Sequence, residues 1–218
     1  MRLSLSLGIT LSLSVASPVA ACDIALLLAI DVSGSVDAGE FRLQVDGTAD
    51  ALADPAVADA LVAALASLSI VQWSGEGMQQ VVLPWTTITS LADAARLSDV
   101  ARALPRVYDG SDTAVGDAIA FSAATFDTVS GCRRLVIDVS GDGPQNAGMP
   151  LADSRGEAIA RGISINAIAI EDIGVSLTEF YRRFVISKYG FVVTARGHLE
   201  YPRAIRMKLL REIEQPAF

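Results

Sequence analysis

The apolar run Ile24-Ala25-Leu26-Leu27-Leu28-Ala29-Ile30 ends on Asp31-Val32-Ser33-Gly34-Ser35. An unbroken apolar run has no polar face to give to water, so it reads as a strand buried on both sides. That places it in a mostly parallel sheet with helices on each face. The carboxylate and two hydroxyls that follow project hard oxygen donors from one loop, the ligand chemistry of Mg²⁺ rather than of zinc. Alone, an Asp-x-Ser-x-Ser loop is weak, because such residues are frequent in turns. Two later loops strengthen it, Gly110-Ser111-Asp112-Thr113 and Ser140-Gly141-Asp142-Gly143. Together the three loops describe a metal ion held at the rim of a sheet.

Segment order supports the same architecture. Strands are expected over 23–30, 69–73, 134–139, 163–170 and 191–194, with helices between them. Residues 80–83, after the Gly75-Glu76-Gly77 turn, read as the hairpin partner of 69–73. Helix starts are signalled by Asp37 with Glu40 at capping-box spacing, by Asp54-Pro55, and by Ser90 with Asp93. Further helices are expected over 113–126, 151–161, 177–186 and 201–213. The fold class is α/β: a doubly wound, mostly parallel sheet with one antiparallel edge hairpin and helices on both faces.

Residues 1–21 read separately, as a secretory signal peptide. Arg2 gives a basic start, Leu3 to Val15 is apolar, and Val19-Ala20-Ala21 offers small residues before a cut ahead of Cys22. The apolar part is too short for a membrane span, and no second long apolar segment follows, so no transmembrane span is expected in the mature chain. Residues 22–218 then form a single domain, exported to the periplasm or secreted. One Arg and no acid lie in the signal, so its removal takes the formal charge from −8 to −9. That acidity argues against nucleic acid and against anionic membranes as partners.

Cys22 and Cys132 are the two cysteines. Val19-Ala20-Ala21-Cys22 resembles a permissive lipobox, which would make Cys22 a lipid anchor. Strand counting favours a disulfide instead. Cys22 precedes Asp31 by nine residues and Cys132 precedes Asp142 by ten. If both aspartates end neighbouring parallel strands, the cysteines meet at the opposite end, with Cα atoms roughly 6 Å apart. A closed loop of that size contributes on the order of 4 kcal/mol, and an exported compartment permits the bond.

The three-loop pattern resembles the von Willebrand factor type A (VWA) domain with a metal-ion-dependent adhesion site, over roughly residues 23–213. The run from Val139 to Asn146, with Asp31 to Asp37 and Gln72-Trp73-Ser74, is similar to an exported bacterial branch known as a domain of unknown function. The resemblance implies a Rossmann-like fold and a division of labour at the ion. Ser33 and Ser35 would ligate directly, Thr113 directly in one state, and Asp31 and Asp142 largely through water. An ion so under-neutralised attracts a partner carboxylate into its open position. One departure is Gly141, where many members of the family have Thr.

Other residues receive plainer readings. Asp112 is expected to cap the following helix. Asp138, inside an apolar strand, needs a partner, with Arg134 or a helix hydroxyl the candidates. His198, the single histidine, is expected at the surface without a role. Trp73, Trp85 and Tyr108 are core or rim packing. Arg203, Arg206, Lys208 and Arg211 read as a solvated helix face, with Glu212 for pairing.

Three functions compete. The first is an exported binding module whose Mg²⁺ (or Mn²⁺ or Ca²⁺) captures an acidic residue of another protein. The second is a metal-assisted hydrolase or phosphoryl-transfer enzyme. It is disfavoured because Ser33 stands where an Asp-x-Asp enzyme has its second carboxylate, and no nucleophile elbow or phosphate loop is present. The third is an assembly domain with a vestigial site. The binding module, not an enzyme, is the expectation.

Overall fold

The computed structural model describes residues 22–171 and 176–214; the expected signal segment lies outside them. Six strands form one sheet in the order β3-β2-β1-β4-β5-β6: β1 Cys22–Asp31, β2 Ser67–Trp73, β3 Gln79–Thr87, β4 Cys132–Gly141, β5 Ile163–Glu171 and β6 Val192–Arg196. All neighbours pair in parallel except β2 and β3. The edge strand β3 is longer than expected and tolerates Pro84, which the interior of the sheet would not.

Both faces of β1 are buried, as its composition requires. Ile24, Leu26, Leu28 and Ile30 face a core built with α1 (Ala38–Ala53), α2 (Pro55–Ala63), α3 (Leu91–Arg102) and α7 (Tyr201–Glu214). Ala25, Leu27 and Ala29 face a second core formed with α4 (Val115–Thr125), α5 (Leu151–Ala160) and α6 (Leu177–Phe180). Past α6 the chain continues through a π turn over Tyr181–Val185 rather than the regular helix expected there.

The expected helix starts at Asp37, Asp54 and Ser90 are present. Asp37 accepts from Glu40 N while Glu40 reaches back to Asp37 N; Asp54 and Ser90 cap their helices with their side chains. Asp112 does not cap α4. It is exposed, and α4 begins after Ala114 without a side-chain cap, because Gln145 Oε1 accepts the Gly116 amide of the first turn instead.

Cys22 and Cys132 are disulfide-bonded with a Cα–Cα distance of 4.3 Å. They pair directly across β1 and β4, and Ile30 pairs with Ser140 at the other end. The stagger inferred from counting is therefore taken up at the top, where Asp142 stands one residue beyond the level of Asp31. The Cys22 sulfur is used in the disulfide, which removes the lipid-anchor alternative.

Two expectations fail in α7. Lys208 is fully buried, not solvated, and its Nζ lies 2.7 Å from Asp138 Oδ1 and contacts Glu212 Oε1. Asp138 points from β4 at this helix, so Lys208, not Arg134, is its partner. Arg134 stands four residues back on the strand, about 13 Å away. There it binds Asp23 and the carbonyls of Glu212 and Ile213 at the end of α7. Arg206, by contrast, is on the surface and pairs with Asp54.

Candidate metal centre

Between β1 and β4 the winding of the sheet reverses: the chain leaves β1 toward α1 on one face and reaches β4 from α4 on the other. Open α/β sheets bind ligands at the carboxyl ends of strands flanking such a point. The residues anticipated from sequence meet there. Asp31 is fully buried at the end of β1, and its Oδ1 accepts from Ser33 N at 2.7 Å. Ser33 Oγ lies 3.2 Å from Ser35 Oγ, and Thr113 Oγ1 lies 3.4 Å from Ser33 Oγ. Ser35 Oγ donates to Asp142 Oδ1 at 2.5 Å. Two carboxylates and three hydroxyls thus form one continuous cluster.

Its three loops are fastened to one another and to the end of β2 by hydrogen bonds of the main chain. Val32 N donates to Trp73 O, and Gly34 N to Ser111 O at 2.8 Å. A Cβ on Gly34 would stand 3.0 Å from that same Ser111 oxygen, so the loops approach this closely only because residue 34 has no side chain. Thr113 N donates to Asn146 Oδ1 while Asn146 N donates to Thr113 O, tying the second loop to the third.

Several supporting residues escaped the reading of the sequence. Arg106 donates to the carbonyls of both Val32 and Ser33, at 2.9 and 3.0 Å, and clamps the first loop from below. Gln44 on α1 holds Asp31 O at 3.1 Å. Tyr181, fully buried on the π turn, explains Gly141. A Cβ at position 141 would collide with the Tyr181 hydroxyl and sit 2.9 Å from Asp31 Oδ2. Here a tyrosine from another element takes the space that a Thr side chain would need. Only the irregular backbone after α6 delivers that ring, and single-residue motifs carry no trace of it.

The electrostatics of the cluster are those of a site short of positive charge. Burial, and then the neighbouring Asp142, push Asp31 up to about 7. Asp142 is also raised, chiefly by burial, against an opposing hydrogen bond from Ser35. Asp31 Oδ2 is buried without a hydrogen-bond partner, and no Lys or Arg among the described residues is bonded to either carboxylate.

His198 departs from expectation. It is 7% exposed, not at the surface, and its Nδ1 lies 3.1 Å from Glu40 Oε1. The short turn over His198–Glu200 before α7 drives the ring inward against the first turn of α1. Tyr108 packs at the rim, against the small apolar cluster of Val32, Val36, Phe41 and Val45 beneath the first loop. Trp73 is fully buried, and Trp85 donates to Thr125 O.

The fold is that of VWA domains. Proximal thread matrix protein 1 from the mussel byssus, in a structure with a zinc-occupied MIDAS motif, superposes with a TM-score of 0.66 at 17% identity, over 86% of this chain and 48% of its own. The von Willebrand factor type A protein from Catenulispora acidiphila gives 0.65 at 16% identity, over 90% of this chain and 44% of its own. The SpRpn10 VWA domain gives 0.58 at 15% identity, over 90% of this chain and 99% of its own. This chain thus spans about half the length of the first two. Comparison with curated proteins finds no match. Residues 21–217 match the family described as "Protein of unknown function (DUF1194)", to which the chain therefore belongs.

Proposed function

We propose that the chain is an exported, metal-dependent protein-binding module. In this reading Mg²⁺ is held by Asp31, Ser33, Ser35, Thr113 and Asp142 and captures a carboxylate of a partner protein. The observation that carries it is the cluster itself: five oxygen-bearing side chains from three loops, with a buried carboxylate oxygen on Asp31 left unpartnered. A divalent ion fits that vacant oxygen and lowers the cost of burying two carboxylates side by side. Hydroxyl ligands leave the ion electrophilic, which favours an acidic group from outside. The site is read as binding, not catalytic, because Ser33 stands where an Asp-x-Asp enzyme would have its second carboxylate.

Export follows from residues 1–21 read as a signal, with 22–218 as the mature domain. The Cys22–Cys132 disulfide fits an oxidising compartment. No helix among the described residues is long and apolar enough to cross a membrane.

Calorimetry on the purified mature protein tests the reading. One equivalent of Mg²⁺ or Mn²⁺ is expected for the wild type and none for Ser33→Ala or Asp31→Ala. With the metal bound, a carboxylate-bearing peptide should associate, and EDTA should release it. Absence of Mg²⁺ and Mn²⁺ binding, or full binding by Ser33→Ala, would overturn the assignment.

A further inference from the structure

Beside the oxygen-only cluster lies a group with different chemistry. Glu40 in the first turn of α1, Asp142 in the loop after β4 and His198 in the turn before α7 each bring a ligand atom within 4.8 Å of the other two. We propose that these three residues hold a second divalent cation, of the borderline class exemplified by Zn²⁺, with Asp142 shared between the two ions. The proposal rests on the Mg²⁺ reading only through that shared residue.

Imidazole separates the two sites chemically. The loops around Ser33 offer only hard oxygens, whereas a histidine with two carboxylates is a donor set suited to Zn²⁺ and its neighbours. Metal–ligand bonds of about 2.0–2.2 Å require only small side-chain rotations to close these atoms on one ion. His198 supplies an observation of its own. The ring is more than nine-tenths buried, yet its Nε2 has no hydrogen-bond partner. A buried nitrogen left without a partner is costly and uncommon; a metal bond to it would supply that partner. The other carboxylate oxygen of Glu40 accepts from Asp37 N at 2.8 Å, so the capping box already fixes that carboxylate.

The competing account is a His198 ring paired with Glu40 and no second ion. Titration of the untagged, EDTA-treated mature protein with Zn²⁺, in excess Mg²⁺, separates the two. One equivalent of Zn²⁺ is expected in the wild type. His198→Gln should weaken Zn²⁺ at least tenfold and leave Mg²⁺ binding intact. Ser33→Ala should lose Mg²⁺ and keep Zn²⁺. His198 is the sole histidine, so Co²⁺ loading of the unaltered protein should give paramagnetically shifted imidazole resonances from this residue alone. That measurement does not depend on how a variant folds. Zn²⁺ binding that survives His198→Gln but is lost in Ser33→Ala would place zinc at the hydroxyl cluster and overturn the proposal. Unshifted imidazole resonances would do the same. Loss of the first reading shows differently, as Mg²⁺ binding unaffected by Ser33→Ala.

Discussion

Replacing Lys208 by Met tests the charge balance of the core. Lys208, Asp138 and Glu212 are at most 2% exposed, and one ammonium faces two carboxylates. Asp138 Oδ2 and Glu212 Oε2 have no hydrogen-bond partner, so the ammonium carries most of the compensation. Burial pushes Asp138 up to about 7; Lys208 opposes this and Glu212 adds to it. The folded protein therefore holds a proton between about pH 4 and 7 that the unfolded chain has released. Wild-type stability should fall as pH rises through that window, and level off above it. Without Lys208 the carboxyl must stay protonated to remain buried, so stability should keep falling beyond pH 7, by about 1.4 kcal/mol per unit. Breaking a buried pair costs about 3–5 kcal/mol; we expect that loss at pH 8 and only about 1–2 kcal/mol at pH 5. Urea denaturation of the oxidised protein at both pH values measures it, and Asp138→Asn on top of Lys208→Met should recover much of the loss at pH 8. A cost below about 1 kcal/mol at pH 8, or one that does not change with pH, would refute the reasoning.

Gly141→Ala should cost about 1–3 kcal/mol by overpacking against the Tyr181 hydroxyl, with Tyr181→Phe in the same chain restoring part of it in thermal melts. Arg106→Met should weaken Mg²⁺ about tenfold or more, because it frees the Val32 and Ser33 carbonyls from their clamp; calorimetry reads this, and unchanged affinity would dismiss the clamp. Reduction of the disulfide, which closes a loop with a sequence separation of 110, should lower stability by about 4–5 kcal/mol in urea.

Much of this architecture is legible because strong local signals agree with it. Burial of β1 on both faces follows from its apolar run, and the capping box at Asp37 and Glu40 follows from spacing alone. The cysteine count from Asp31 and Asp142 identified the strand pair, although its stagger proved to lie at the other end. Residue type alone places Lys208 in solvent, whereas helical periodicity places it inside. It falls four residues after Ala204 and four before Glu212, on the same buried stripe as Ile205 and Leu209. The unpaired Asp138 was asking for such a cation. His198 and Tyr181 were opaque for another reason. Irregular turns, flanking α7 and following α6, aim both rings, and no simple period describes those turns.

The Cys22–Cys132 bond and the cluster around Asp31 occupy opposite ends of one strand pair, separated by nine residues of β1, about 30 Å. A parallel pair can in principle slide, and a slip of one residue would carry Asp142 about 3.3 Å along β1 and turn every side chain of the strand to the wrong face. Metal coordination tolerates only a small fraction of that distance. The covalent link reinforces, from the floor of the sheet, a register that burial and the strand ladder already favour, and with it the relative height of the two aspartates at the rim. Thiol reductants should then weaken the proposed cation binding without touching any of its proposed ligands.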